Sequence, residues 1–154
     1  MFLVDTNVIS ALAPSKRESS RELVEWLDMA SARLFLSVVS TAEVRAGIVK
    51  AEREGATTKA RQLTDWWESI EYLYADKLLA FDLKCSHVAG RILDEARAHQ
   101  PGFEDIAIAA TARAHDLTVL TRNLRHFEPL GVRAIDPFVA LPDLSAAGEG
   151  TSEP

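Results

Sequence analysis

The sequence predicts an α/β fold built on a parallel sheet, and three observations carry that expectation. Strand-like and helix-like patterns alternate along the chain, as repeated βαβ units require. The run over residues 34–39 is almost continuously apolar, as a strand covered on both faces should be. A chain of 154 residues with 47% hydrophobic content is long and apolar enough for one domain with a substantial core.

Each element follows from local pattern. Phe2-Leu3-Val4 reads as the first strand, and a short helix over 7–12 is stopped by Pro14. Residues 21–30 form a helix with Leu23, Leu27 and Ala30 on one face. The apolar strand 34–39 leads to a helix over 41–54, with Gly55 as its C-cap. A longer helix over 57–74 carries Leu63, Trp66 or Trp67, Ile70 and Leu73 at helical spacing. A third strand covers 78–81, and a helix over 83–98 stops before Pro101-Gly102. Asp105 opens a helix of small residues leading to a strand at 119–120, and 133–135 form a terminal edge strand. The domain spans 1–141. The tail 142–154 is rich in Gly, Ser, Ala, Glu and Pro and is expected to be disordered.

Composition narrows the function. The net charge of −6 argues against a protein that coats nucleic acid by neutralising phosphates, but not against a nuclease acting at one phosphate. Arg45, Lys50, Arg122 and Arg125 are the candidates for local basic contacts. The single Cys85 excludes an intramolecular disulfide, and no signal peptide or membrane span is evident, so a cytoplasmic location is expected.

Three acids stand where apolar runs give way to polar turns or new helices: Asp5, Glu43 and Asp105. In a parallel α/β sheet such junctions meet in one crevice outside the carboxyl ends of the strands. Carboxylates gathered there repel by roughly 4 kcal/mol per pair at about 4 Å and an effective dielectric near 20. A hard divalent cation among them is the economical resolution. Each acid also has a simpler explanation. Asp5 can cap the first helix, and Ser40-Thr41-Ala42-Glu43 matches a capping box. Asp105 suits the positive end of its helix regardless of function. Gly47, one turn beyond Glu43, costs about 1 kcal/mol in a helix interior and suggests close packing beneath that face. Thr121 could orient a water or phosphate, and Asn123 could offer an oxygen ligand or stabilise a turn. His126 is read as a surface imidazole or, less simply, a general base. His87, His99 and His115 lack zinc-ligand spacing.

Val4-Asp5-Thr6-Asn7, then Ser40 to Gly47 with Glu43, then Asp105 to Ala112, then Leu120-Thr121-Arg122-Asn123 resemble, in order and spacing, the PIN-domain family. Within it the chain is most similar to the VapC-type toxins of toxin–antitoxin pairs. The resemblance implies a three-layer α/β/α sandwich with a central, mainly parallel sheet. It also implies an endoribonuclease dependent on Mg²⁺ or Mn²⁺, with Asp5, Glu43 and Asp105 as metal ligands. Thr6 matches a polar residue beside them, Thr121 the Ser/Thr after the penultimate strand, and Arg122 a substrate contact. Asn123 departs from the Asp that many relatives place there, which removes one charge. RNA, such as a transfer or ribosomal RNA loop, is the implied substrate. A cognate antitoxin and a second copy of the chain are the implied partners, with Leu63, Trp66 and Trp67 as a surface for the antitoxin. The alternative is a non-catalytic binding module of the same fold with an impaired metal site. A receiver-like phosphoacceptor fits poorly, because it expects adjacent acids after the first strand.

Overall fold

A computed structural model describes residues 1–16 and 20–145. Five strands form one sheet in the order β3-β2-β1-β4-β5, and every neighbouring pair is parallel. They are β1 (Phe2–Val4), β2 (Leu34–Ser37), β3 (Leu78–Leu79), β4 (Thr118–Leu120) and β5 (Ala134–Ile135). The helices are α1 (Thr6–Ala11), α2 (Arg21–Ala30), α3 (Val38–Arg53), α4 (Thr57–Leu73), α5 (Leu83–Glu95), α6 (Phe103–Ala114) and α7 (Leu124–Phe127).

Alternation along the strands sorts the core into two layers. Val4, Leu34, Leu36 and Leu120 face helices α1 to α4, with Val8, Leu23, Trp26, Ile48 and Trp67. Leu3 and Val119 face the other way, against Ile92 of α5, Ile106 of α6 and Phe127. Burying each such side chain stabilises the fold by about 1.5–3 kcal/mol. Because both faces are covered, the α/β/α sandwich expected from the sequence is the architecture observed.

Several boundaries move, each for a local reason. The strand expected over 34–39 ends at Ser37, whose Oγ accepts from the Val39 N–H at 3.1 Å and starts α3 three residues early. Val38 and Val39 favour strands on their own, but the Ser37 cap and the packing of α3 override that preference. The helix expected over 83–98 ends at Glu95 and tightens into a 3₁₀ turn at Arg97–His99. The chain then takes a left-handed conformation at Gln100 (φ 47°), immediately before Pro101. The third strand is two residues rather than four, and α7 had no sequence signal.

Of the tail expected from Pro142, the carbonyls of Pro142 and Leu144 accept hydrogen bonds from Trp26 Nε1 and Arg33 Nη1. The remainder, 146–154, lies outside the described residues. Among those residues no helix is long and apolar enough to cross a membrane.

Cys85 is fully buried in α5, and burial pushes its thiol above the usual range. Its alkylation by iodoacetamide is expected to occur only as fast as the protein unfolds. Rapid labelling of the native protein would show that α5 opens locally.

Candidate active site

The sheet brings the expected site to one level. Val4 pairs with Leu36 on one side and Leu120 on the other. The Asp5 N–H continues the ladder by donating to the Leu120 carbonyl at 2.9 Å. Asp5, the start of α3 and Thr121 therefore leave the sheet together. The chain runs outward from β1 through β2 to β3, then crosses back to β4, so β1 and β4 flank the switch point where such folds bind ligands.

Asp5 is both cap and inward-held acid. Its Oδ1 accepts from the Thr6 N–H at 2.8 Å, and its Oδ2 accepts from the Thr121 hydroxyl at 2.8 Å. Only 5% of the residue is exposed. Burial raises its carboxyl pKa more than these hydrogen bonds lower it, and the nearby Asp105 raises it further. Thr121 is fully buried, and its oxygen also accepts from the Asn123 N–H and from Asn7 Nδ2. Its buried hydroxyl thus holds Asp5 in place. Asn7 Oδ1 in turn accepts from the Arg122 N–H, which joins the β1 and β4 turns.

Glu43 is released from the role its local sequence suggests. Ser37, not Ser40, caps α3, so the expected capping box is absent. Ser40 is buried inside the helix, where its Oγ lies 2.9 Å from the Thr6 hydroxyl oxygen, within hydrogen-bond distance. Half-buried Glu43 lies one turn into α3 with its carboxyl pKa raised, first by burial. Hydrogen bonding from Thr6 opposes that rise, while Asp5, Glu104 and Asp105 add to it.

Asp105 sits in the first turn of α6, after the uncapped Gly102. Seven consecutive residues from Ile106 to Ala112 are buried, so the small side chains do seat this helix tightly. His126 Nδ1 lies 3.1 Å from Asp105 Oδ2, a contact across 21 positions that no local spacing rule reports. Asn123 is exposed and makes no side-chain cap for α7. The Arg122 guanidinium stacks over Phe138, 4.5 Å from the ring centroid.

The donor set fits a hard divalent ion. All three acids offer oxygen, and Asp5 and Glu43 both carry the electrostatic cost of their neighbours' charge. Among the described residues, no group of three or more acidic, histidine or cysteine side chains is drawn close enough together to hold an ion as they stand.

Two expectations about flanking residues change. Arg45 is engaged with Glu71, at 3.1 Å, and Glu68, so it is not a free contact for RNA. A Cβ at Gly47 would meet nothing within 4 Å, so this glycine borders an open groove and not a close packing contact. Gly47→Ala is expected to stabilise the protein by up to about 1 kcal/mol, seen as a higher thermal midpoint. A lower midpoint would place a steric limit there after all.

A family model described as PIN domain matches residues 2–130. The chain is 34% identical over 143 residues to plasmid stability protein StbB of Pseudomonas syringae pv. tomato, covering 91% of this chain and all of that one. It is 31% identical to toxin FitB of Neisseria gonorrhoeae, covering 90% of this chain and 99% of that one. It is 32% identical to VapC ribonuclease Y4jK of Sinorhizobium fredii, covering 90% and 98%. The crystal structure of FitAcB from Neisseria gonorrhoeae matches with a TM-score of 0.77 at 33% identity, covering 90% of this chain and 99% of that one. DNA-bound VapBC from Salmonella typhimurium matches with a TM-score of 0.70 at 27% identity, covering 88% and 96%.

Proposed function

The chain belongs to the PIN-domain family, and from that premise we propose that it is the endoribonuclease toxin of a toxin–antitoxin pair, dependent on Mg²⁺ or Mn²⁺. The observation that carries this reading is the convergence of Asp5, Glu43 and Asp105, each mounted on a different element and each within the others' electrostatic reach. Names among its relatives, a toxin and a VapC ribonuclease, support the same conclusion.

The residues divide the work. Thr121 and the Thr6 N–H hold the Asp5 carboxylate in one orientation, so a ligand meets a fixed oxygen geometry. Asp5, Asp105 and Glu43 would hold the ion, with Asn123 near its edge. A divalent ion bound there supplies charge to polarise a phosphate and to acidify a water. Arg122 at the crevice mouth offers positive charge to the RNA backbone, its plane steadied by Phe138. His126, through Nδ1, restrains the Asp105 carboxylate. The expected partners are RNA, a cognate antitoxin and a second copy of the chain.

Sequencing RNA 5′ ends from cells expressing the wild type or Asp105→Asn tests the reading. New ends at a few positions, found only with the wild type, are expected and would identify the target. Identical end profiles from two soluble proteins, with antitoxin absent, would favour a binding module without catalysis.

A further inference from the structure

A groove of about 300 Å³ leads away from Glu43, between the segment after α1 and the α3–α4 hairpin. Glu43, Gly47 and Lys50 lie on one face of α3, at spacings of four and three residues, so this face connects the groove to the acidic crevice. Lys16, Lys50 and Lys59 line it, and all three are exposed. Among the described residues none of them is in an ion pair, whereas Arg45, Arg113 and Arg133 all are. Against these three cations the groove sets Glu43 at the site end and Glu54. For a chain of net charge −6, this is a local reversal of sign. Half-buried Trp66 lines the same groove.

Cationic side chains that follow a backbone, with an aromatic face beside them, are the combination that holds single-stranded nucleic acid. A duplex would keep its base faces stacked and could not use the tryptophan. We infer that this groove binds the single-stranded RNA flanking the scissile phosphate, with Lys16, Lys50 and Lys59 on backbone phosphates and Trp66 stacked on a base. The inference rests on the nuclease reading above and adds the path and the unpaired state of its substrate.

The test uses full-length Asp105→Asn protein, a short fluorescein-labelled oligouridylate and anisotropy over a range of salt. Each phosphate contact on a single strand contributes about 0.7 to the salt slope. Replacing Lys16, Lys50 and Lys59 together by Ala is therefore expected to lower the slope by about two. Replacing Lys84, Arg91 and Arg97 by Ala removes the same charge from α5 and its following turn, on the opposite face of the sheet, and should leave the slope unchanged. Trp66→Leu should weaken binding without changing the slope. In parallel, the wild type and the triple lysine variant are assayed on the RNA found by end sequencing. The triple variant should show a raised KM with kcat largely kept, the mark of lost binding outside the chemical step.

An unchanged slope in the lysine variant, or an equal fall in both triple variants, overturns the groove assignment while wild-type cleavage keeps the nuclease reading intact. Loss of affinity for an antitoxin segment with the RNA slope unchanged gives the groove to a protein partner and also overturns it. A wild type that cleaves no RNA fails separately, at the nuclease reading itself.

Discussion

Asp5→Asn and Asp105→Asn are each expected to reduce RNA cleavage by about a hundredfold or more, with the fold intact. Both remove an ionised oxygen from a site whose other acids remain. Unfolding separates this loss from damage to the structure. Burial raises the Asp5 and Glu43 carboxyl pKa values in the folded state. Their favourable contribution is therefore complete below the unfolded values of about 4 and is lost as pH rises through the folded ones. Metal-free wild type should lose stability over that window, and Mg²⁺ or Mn²⁺ should restore it at neutral pH. Asp5→Asn should flatten the pH slope and shrink the metal-induced rise in thermal midpoint. Its net stability at neutral pH should change by only about 1 kcal/mol, because two effects oppose. The amide removes a buried charge, yet it cannot accept from both the Thr6 N–H and the Thr121 hydroxyl as the carboxylate does. Cleavage unimpaired in both variants would end the carboxylate-metal proposal.

The sequence was most legible where one local signal acted alone. The alternation of strands and helices and the α2 boundaries could be read from pattern, and so could the position of Asp5 at the end of β1, because an apolar run breaking into short polar residues marks that junction. It was least legible where two local signals competed. Ser40 and Glu43 form a good capping box on paper, but Ser37 caps first, and the shift turns Ser40 inward towards Thr6. That contact joins residues 34 positions apart, which no local rule reports. The same limit hid the support beneath Asp5: Thr121 reaches it across 116 positions. Arg45 shows the converse. Its charge was visible, but its engagement by Glu71 required the α3–α4 hairpin to be folded.

The two adjacent tryptophans are the clearest case of a question that periodicity leaves open and packing closes. Trp67 is fully buried within the core beneath α1 to α4, whereas Trp66 is half-buried and borders the groove. Their rings meet at 5.7 Å, so a change at one is felt by the other. Trp67→Ala is expected to cost about 3–5 kcal/mol, a large share of the roughly 5–15 kcal/mol that holds such a domain together. Trp66→Ala should cost much less, because part of its surface already meets solvent. The expected reading is a large fall in the urea midpoint for Trp67→Ala and a small one for Trp66→Ala. Trp67→Phe should be far milder than Trp67→Ala. The Trp67 Nε1–H is buried without a hydrogen-bond partner among the described residues, so losing it relieves a desolvation cost that partly offsets the smaller ring. Any weakening of antitoxin binding by Trp67→Ala would then follow from unfolding, while Trp66 alone could act directly at a surface. Equal midpoint shifts for the two alanine variants would contradict this division of α4 into a core face and a groove face.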